Sequence, residues 1–142
     1  ITTGIERNLW VFNTDLQRLE LYNYAEDASK AVTQPVNKKI MAQVSNYNYC
    51  WLYTEGGELL QYNVYGSPTD VFYLENAQHF QSFRDGLIFV KENQLYFYSP
   101  RFKDVFPLPE TQQAFNSFFI TESALYLYHN NQLFIYQLNF SY

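Results

Sequence analysis

The stretch Leu87-Ile88-Phe89-Val90, followed after a polar link by Leu95-Tyr96-Phe97-Tyr98, decides the fold of this chain. Every residue of the first quartet is apolar, so an extended strand would carry apolar side chains on both of its faces. The link centres on Glu92-Asn93, and Asn tolerates the positive φ that a two-residue hairpin turn requires. The stretch therefore predicts a β-hairpin that is covered by protein on both sides.

The same layout occurs four times in the 142 residues. Each repeat has four mostly apolar residues, a polar link, and four more residues that end in tyrosine. The other three repeats are Leu9–Phe12 with Leu19–Tyr22, Cys50–Tyr53 with Leu59–Tyr62, and Leu125–Tyr128 with Leu133–Tyr136. The closing tyrosines, at positions 22, 62, 98 and 136, are 40, 36 and 38 residues apart. This spacing is the period of a four-stranded β-propeller blade.

The repeats differ in length only in their hairpin links. Asn130-Asn131 suits a two-residue turn, and the second repeat has Gly56-Gly57 in a link that is one residue longer. Glycine there fits a three-residue loop with one left-handed position. The first link, from Asn13 to Arg18, is longer by one again. Because the flanking alternation is intact in every case, these segments are true repeats.

The spacers between hairpins repeat as well. Asp70–Leu74 matches Asp104–Leu108 at an offset of 34 residues, and Phe80–Phe83 matches Phe115–Phe118 at an offset of 35. We expect each spacer to hold the outermost strand of one blade and then the innermost strand of the next. Pro107 is compatible with an outer edge strand, which tolerates a missing N–H.

The same reasoning places strands around the first hairpin. We expect Ala31–Val36 to be the outer strand of the first blade and Ile40–Val44 the inner strand of the second. The polar stretch Tyr24–Lys30 is expected to form a helical turn. The chain would then hold the last three strands of one blade, two complete blades and the first three strands of a fourth.

The predicted fold class is all-β: a partial β-propeller of about 3.75 four-stranded blades, belonging to a larger ring. We treat residues 1–142 as a single propeller region. Its blade hairpins are predicted near residues 8–22, 49–62, 86–98 and 124–136. Two-faced hydrophobic strands favour a propeller, because a simple sandwich shows polar residues on its outward faces. A β-sandwich with short meanders is the alternative.

Composition excludes several classes of protein. Hydrophobic residues make up 47% of the chain and charged residues only 16%, which excludes a disordered chain. The net charge is −5 and Lys38-Lys39 is the only adjacent basic pair, so we expect neither nucleic acid nor an anionic lipid surface as partner. The longest purely apolar run has four residues, so no transmembrane segment is predicted.

The sequence offers little chemistry for catalysis. His79 and His129 lie in different repeats, and both are interpreted as loop histidines. The single cysteine, Cys50, is expected to be a small core hydrophobe in a central strand. No Cys/His cluster has metal-binding spacing, and no glycine-rich loop suits a phosphate. We therefore predict no catalytic residue, no cofactor and no metal ligand, and expect a protein that is not an enzyme.

Two groups of aromatic residues remain. The closing tyrosines are expected to fill equivalent slots between blades, with each hydroxyl reaching a partner at the sheet edge. Aromatics that fall outside the repeat, in the links, are better candidates for contact with a partner protein. These partner-contact candidates are Tyr24, Tyr47, Tyr65 and Phe102.

Over roughly residues 8–138 the repeats resemble those of the β-propeller superfamily. They carry no Trp-Asp ending, no kelch double glycine in each blade and no sialidase Asp-box. They are similar to the loosely conserved, aromatic-rich propellers of bacterial envelope proteins. This resemblance implies a non-enzymatic, protein-binding scaffold: an accessory subunit of a larger assembly, such as an outer-membrane secretion translocon, in the periplasm or cell envelope.

Two other functions stay open. The stretch would also fit part of a propeller enzyme or a carbohydrate-binding lectin whose site lies outside these residues. In that case the inner strands would line a central funnel with polar side chains that include no acid or base. Those side chains are Gln43, Gln81, Ser82, Asn116 and Ser117. A purely structural spacer is the third alternative.

Overall fold

The computed structural model describes residues 1–4, 6–109 and 114–138, and it divides into two compact units, residues 1–75 and 76–142. All regular structure in the described residues is β-strand. The strands are β1 (Thr2–Thr3), β2 (Asn8–Asn13), β3 (Arg18–Asn23), β4 (Ala28–Ala31), β5 (Ile40–Ser45), β6 (Tyr49–Thr54), β7 (Glu58–Asn63), β8 (Pro68–Tyr73), β9 (Gln78–Phe83), β10 (Gly86–Lys91), β11 (Gln94–Ser99), β12 (Asp104–Pro107), β13 (Ser117–Ile120), β14 (Ala124–His129) and β15 (Gln132–Gln137).

The first unit contains two four-stranded antiparallel meanders. Sheet 1 has the order β1-β2-β3-β4, and sheet 2 has the order β5-β6-β7-β8. Between them lies a hydrophobic core whose buried members are Trp10, Leu19, Val36, Cys50, Leu52, Leu60 and Tyr62. Since this core takes one face of each sheet, the two sheets pack as neighbouring layers.

The second unit is built in the same way. Sheet 3 has the order β9-β10-β11-β12, and sheet 4 has the order β13-β14-β15. Their shared core has as buried members Phe83, Ile88, Leu95, Leu108, Ile120, Leu125 and Leu127. Within the described residues β15 therefore forms an edge. It corresponds to β3, β7 and β11, each of which pairs with a fourth strand in its own sheet.

The hairpin turns have the backbone conformations that their residues predict. Glu92 and Asn93 have φ of 51° and 60°, and Asn130 and Asn131 have φ of 48° and 62°. Two consecutive left-handed residues define the primed turn that matches strand twist. Gly57 has φ of 85°, which confirms the left-handed glycine of the longer second link.

The outer strand of sheet 1 differs from the prediction. The chain turns at residues 24–27 and then forms β4 at Ala28–Ala31, so neither a helical turn over Tyr24–Lys30 nor a strand over Ala31–Val36 is present. The carboxamide of Asn23 closes the turn by accepting hydrogen bonds from the amides of Ala25 and Glu26. Because of this local turn, the outer strand begins at Ala28, three residues earlier than the hydrophobic pattern predicts.

The inner strand β1 was also missed. Thr2 pairs with Trp10 and Thr3 with Leu9, so sheet 1 has four strands and the prediction of three was wrong. Two threonines carry no hydrophobic alternation, and only their pairing with β2 defines them as a strand. The described residues hold 15 strands, which equals about three and three-quarter blades.

Glutamines connect inner strands of neighbouring sheets. The Gln43 amide of β5 donates to the Thr2 hydroxyl and to the Trp10 carbonyl, at 2.9 and 3.1 Å. In the second unit, Gln81 of β9 donates to the Ile120 carbonyl and accepts from the Ile120 amide, at 2.7 and 3.1 Å. Both side chains are therefore engaged in holding a pair of sheets together.

No helix that is long and apolar enough to cross a bilayer occurs in the part of the chain that the structure describes.

Candidate functional site

The four predicted contact residues all lie in links at the same end of their own sheets. In a meander, the link between the first and second strands and the link between the third and fourth strands are at one end. Tyr24 follows β3, Tyr47 follows β5, Tyr65 follows β7 and Phe102 follows β11. The three tyrosines are 56, 79 and 81% exposed and Phe102 is 63% exposed. The structure therefore presents each ring to solvent.

An asparagine shapes each of the three tyrosine turns, by which we mean the links that carry Tyr24, Tyr47 and Tyr65. The Asn23 side chain accepts from two following amides at 3.0 and 3.1 Å. Asn46 accepts from the amides of residues 48 and 49 at 2.9 and 2.8 Å. Such Asx turns are local and short-range. Each ring therefore projects from a closed turn.

The turn of Tyr65 also approaches sheet 1 closely. The Asn63 side chain accepts from the amides of Tyr65 and Ser67, both at 3.0 Å. Gly66 has φ of 80°, and a Cβ at this glycine would lie 2.5 Å from the carbonyl oxygen of Val32. The turn is thus seated directly on the segment that follows β4 of sheet 1.

Phe102 lies in a different environment. Its amide donates to the Ser99 hydroxyl at 3.3 Å, and the Arg101 guanidinium lies 5.2 Å from its ring centroid. The ring also meets Phe106 edge to face at 6.2 Å. A cation over the ring face and an aromatic neighbour cover part of Phe102, so it is less exposed than Tyr47 and Tyr65.

Charge separates the two ends of the first unit. The links at the tyrosine end carry Glu6, Glu26 and Asp27 against Arg7. An open cleft of about 660 Å³ at this end is lined by Glu6, Arg7, Asn23, Ala25 and Glu26. The adjacent lysines lie at the opposite end, where the Lys38 ammonium is 2.5 Å from the Glu58 carboxylate. The tyrosine end is therefore mildly acidic.

The four tyrosines that close the repeats differ in how they are buried and bonded. The Tyr22 hydroxyl donates to the Asp27 carboxylate, and this bond raises the pKa of the phenol. Tyr62 is buried in the core of the first unit, and burial raises its pKa. Tyr98 is buried, and Tyr136 packs against the core of the second unit. Tyr62, Tyr98 and Tyr136 therefore have the predicted packing role, whereas Tyr22 is half-buried and lies on the face of sheet 1 that points away from sheet 2.

The two histidines lie apart from any group that would make them catalytic or metal-binding in the described residues. His129 lies 3.0 Å from the Asn116 carboxamide through Nδ1 and 3.0 Å from the Asn130 amide through Nε2. His79 lies in β9, exposed, with φ of 54°. Among residues 1–4, 6–109 and 114–138, no three His, Cys, Asp or Glu side chains converge in a way that could hold a metal ion.

Cys50 lies in the core of the first unit, fully buried, as the sequence predicts. Burial raises the pKa of its thiol to about 12. At pH 8 such a thiol is ionised in about one molecule in 10⁴, against about a quarter of molecules for an ordinary cysteine, and the thiolate is the reactive species.

We therefore expect Cys50 of the folded chain to resist a maleimide or an aromatic disulfide at pH 8 for hours. In about 6 M urea the same residue should react within minutes with a stoichiometry of one, because unfolding exposes it. The measurement is thiol labelling followed by mass spectrometry. Rapid labelling of the folded chain would show that this part of the core opens freely.

Sequence reasoning missed two features. The first is the asparagine before each exposed tyrosine, although Asn23-Tyr24, Asn46-Tyr47 and Asn63-Val64-Tyr65 are visible in the sequence as a recurring signal. The second is an exposed apolar face on sheet 4, which carries the side chains of Phe119, Leu133 and Ile135. No local signal marks that face, because its residues have the same pattern as buried repeats.

Comparison with known proteins gives a fold but no family. No family model matches the chain, and no curated protein matches it. The solved structure of KlHsv2 with loop 6CD replaced by a Gly-Ser linker matches 93% of this chain at 13% identity, with a TM-score of 0.60. The structure of "Kluyvelomyces marxianus Hsv2" matches 91% at 16% identity, with a TM-score of 0.54.

These likenesses settle the fold class. Hsv2 is a β-propeller, so the chain has an all-β fold of the propeller type, and the sandwich alternative is set aside. The matched region covers 45% of KlHsv2 and 47% of the second protein. The chain therefore spans a little under half of the length of these two proteins, which agrees with a partial propeller.

Proposed function

We propose that this chain is a non-enzymatic, protein-binding scaffold and that its tyrosine turns contact a protein partner. The observation that carries the proposal is the exposure of Tyr24, Tyr47 and Tyr65 on closed turns at one end of the first unit's sheets. Phe102 is a separate candidate contact residue in the second unit.

Physical chemistry favours tyrosine for this role. Its ring contributes a large apolar area while its hydroxyl still bonds to polar groups, and it loses few side-chain rotamers when it is fixed. Tyrosine is accordingly enriched among the residues that dominate binding energy at interfaces. Three such rings beside an open cleft form a surface of the kind that a folded partner or a peptide contacts.

The charge at this end specifies the partner further. Glu6, Glu26 and Asp27 outnumber Arg7 there, so a partner surface with an excess of Lys or Arg would associate faster and in the correct orientation. An acidic partner or a nucleic acid would be repelled. We therefore propose a protein partner whose contact surface is aromatic or aliphatic with a basic rim.

The proposal extends to an accessory subunit of a larger assembly, for which the resemblance to bacterial envelope propellers indicates a secretion or outer-membrane machine. Cofractionation of the chain with isolated envelope complexes, followed by mass spectrometry, tests this extension separately from the tyrosine surface.

A non-enzymatic role is part of the same proposal. Gln43 and Gln81, two of the polar inner-strand residues considered for a lectin or enzyme funnel, are occupied by bonds between sheets. The side-chain oxygen of Asn116 likewise lies within hydrogen-bond distance of Nδ1 of the His129 ring, at 3.0 Å. The polar side chains of these three residues therefore have hydrogen-bond partners within the protein, and their presence does not require a bound ligand.

The test is a paired binding experiment on the purified 142-residue chain. We expect the native chain, immobilised and exposed to an extract of its own cells, to retain one protein in stoichiometric amount. The double variant Tyr47→Ser/Tyr65→Ser should lower the affinity for that protein at least tenfold, because each lost anchor costs about 1–2 kcal/mol. Titration calorimetry with the isolated partner gives the value.

The matched control is Leu16→Ser, which changes a half-exposed apolar residue at the opposite end of sheet 1. This variant should bind as the native chain does. Equal retention by the native chain and the double variant would contradict the proposal, and so would the failure of the folded native chain to retain any protein.

A further inference from the structure

Sheet 4 has one face that is covered by core and one that is not. Its core-facing side chains include Leu125 and Leu127. The opposite side, here called the open face, carries Phe119, Tyr126, Tyr128, Leu133 and Ile135. Phe119, Leu133 and Ile135 are between 58 and 62% exposed. A patch of five contiguous apolar and aromatic residues is of the kind that marks an interaction site.

The register of the repeats shows what this face is suited to contact. Tyr126, Tyr128, Leu133 and Ile135 each lie 38 residues after a residue of sheet 3 that packs against sheet 4. Those sheet 3 residues are Ile88, Val90, Leu95 and Phe97. The open face therefore consists of the positions that elsewhere carry the following sheet.

The first unit repeats this relationship. The equivalent positions of sheet 1 are Trp10, Phe12, Leu19 and Leu21, and all four pack against sheet 2. Two independent pairs of sheets thus use the same four positions to hold the next sheet. A sheet, rather than a helix or a small ligand, is the matching occupant of the open face.

Sheet 1 has the complementary surface. Its face away from sheet 2 carries Leu9, Val11 and Tyr22, all of them half-buried. In sheet 2 the corresponding residues are Cys50, Leu52 and Tyr62, which pack against the preceding sheet. Sheet 1 therefore has the residues that receive a preceding sheet.

Glu20 is the departure from this pattern, because the corresponding residue of sheet 2 is Leu60. The Glu20 carboxylate accepts from the Arg18 Nε at 2.8 Å, from Asn13 at 3.3 Å and from Ser29 at 3.1 Å. These bonds, that of Arg18 above all, lower the pKa of Glu20. A carboxylate that already has three donors can be covered without leaving its charge unpaired.

The number of sheets agrees with a second copy as the occupant. One chain spans 45–47% of the propellers that it resembles, so two copies supply nearly the full length. The described residues of two copies also hold eight sheets, which is within the range of blade numbers of propellers, roughly four to eight.

We propose that the open face of sheet 4 seats sheet 1 of a second copy of this chain, and that the second copy does the same in return. The two contacts are identical, so they close on themselves under a two-fold axis and add no further copies. The product is a dimer. This proposal is independent of the tyrosine turns, which lie in links and not on either docking face.

The first test is the mass of the 142-residue chain in solution. Sedimentation equilibrium should give twice 16.9 kDa at micromolar concentration. The variant Ile135→Glu places a charge on an exposed position of the open face, so it should fold and yet weaken dimerisation at least a hundredfold. Tyr65→Glu, an exposed change at the tyrosine end, is the matched control and should remain dimeric.

Several outcomes would overturn the proposal. A folded native chain that is a monomer at about 100 μM would assign the open face to another protein or to further blades of a longer chain. A dimer that survives Ile135→Glu would place the contact elsewhere. Circular dichroism of each variant establishes that it is folded.

The second test identifies which faces meet. A copy with Ile135→Cys and a copy with Val11→Cys are mixed under oxidising conditions, and Cys50 is buried and does not interfere. A cross-link between the two different variants is the expected result. Cross-links that form only between two Ile135→Cys copies would show that sheet 4 meets sheet 4, and this would overturn the assignment of sheet 1.

Discussion

The variant Gly66→Ala is expected to lose about 3 kcal/mol of its free energy of unfolding, through two separate effects. Gly66 has φ of 80°, and an L-residue in the left-handed region costs roughly 1–2 kcal/mol. In addition, the new Cβ would lie 2.5 Å from the Val32 carbonyl oxygen and 2.6 Å from the Val32 Cβ. Both obstacles are close to the main chain, so a side-chain rotation cannot relieve them, and overpacking typically costs about 1–3 kcal/mol.

Urea unfolding followed by tryptophan fluorescence measures this effect, since Trp10 and Trp51 are both buried. The matched control is Gly56→Ala, in the hairpin link of the same sheet. There the nearest atom to a new Cβ is a Glu58 carboxylate oxygen at 3.6 Å. Gly56→Ala should stay within about 0.5 kcal/mol of the native chain. Equal stability of the two variants would refute the close approach of the Tyr65 turn to sheet 1.

The largest effect is expected for Trp10→Ala, at about 3–5 kcal/mol. Trp10 is 1% exposed and lies in the core shared by sheets 1 and 2. Removal of the indole leaves a cavity that two hydrogen-bonded sheets cannot close, and it exposes the Gln43 bond to the Trp10 carbonyl to water. Chemical denaturation of the variant, with Trp51 as the fluorescent probe, gives the value.

Two further variants serve as controls for Trp10→Ala. Trp10→Phe keeps most of the buried apolar area and should cost less than half as much as Trp10→Ala. Tyr47→Ala removes an aromatic ring of similar kind from an exposed turn and should change stability by no more than about 0.5 kcal/mol. If Trp10→Ala were as stable as Tyr47→Ala, sheets 1 and 2 would not share the core described above.

The central hairpin of each sheet could be predicted because two local signals agree there. Short apolar runs specify strands such as Leu87–Val90, and in sheets 2, 3 and 4 a left-handed Asn or Gly residue specifies the turn between the strands. β1 could not be found in this way, since Thr2 and Thr3 are polar and only their pairing with Leu9 and Trp10 makes them a strand. The outer strand β4 was misplaced because a side-chain bond from Asn23, rather than hydrophobic pattern, decides where the chain turns.

The exposure of the candidate contact residues could be predicted from the sequence, and their arrangement could not. Tyr24, Tyr47, Tyr65 and Phe102 were selected because they fall outside the repeat, and all four are exposed. The separation of Glu26 from Lys38 to opposite ends depends on which links a meander brings together, and adjacent sequence does not encode this. Likewise, Leu133–Tyr136 has the same pattern as the buried Leu95–Tyr98, because exposure depends on what lies beside a sheet.

The asparagine bonds in the tyrosine turns bear on how a partner is recognised. Asn23, Asn46 and Asn63 each already accept from two backbone amides of their turn, so those six amides are not free to donate to a partner. Recognition there must proceed through ring faces and hydroxyl groups, with little ordering left to do on contact. Such an encounter should show a negative heat-capacity change from dehydrated ring surface and only a small conformational-entropy penalty.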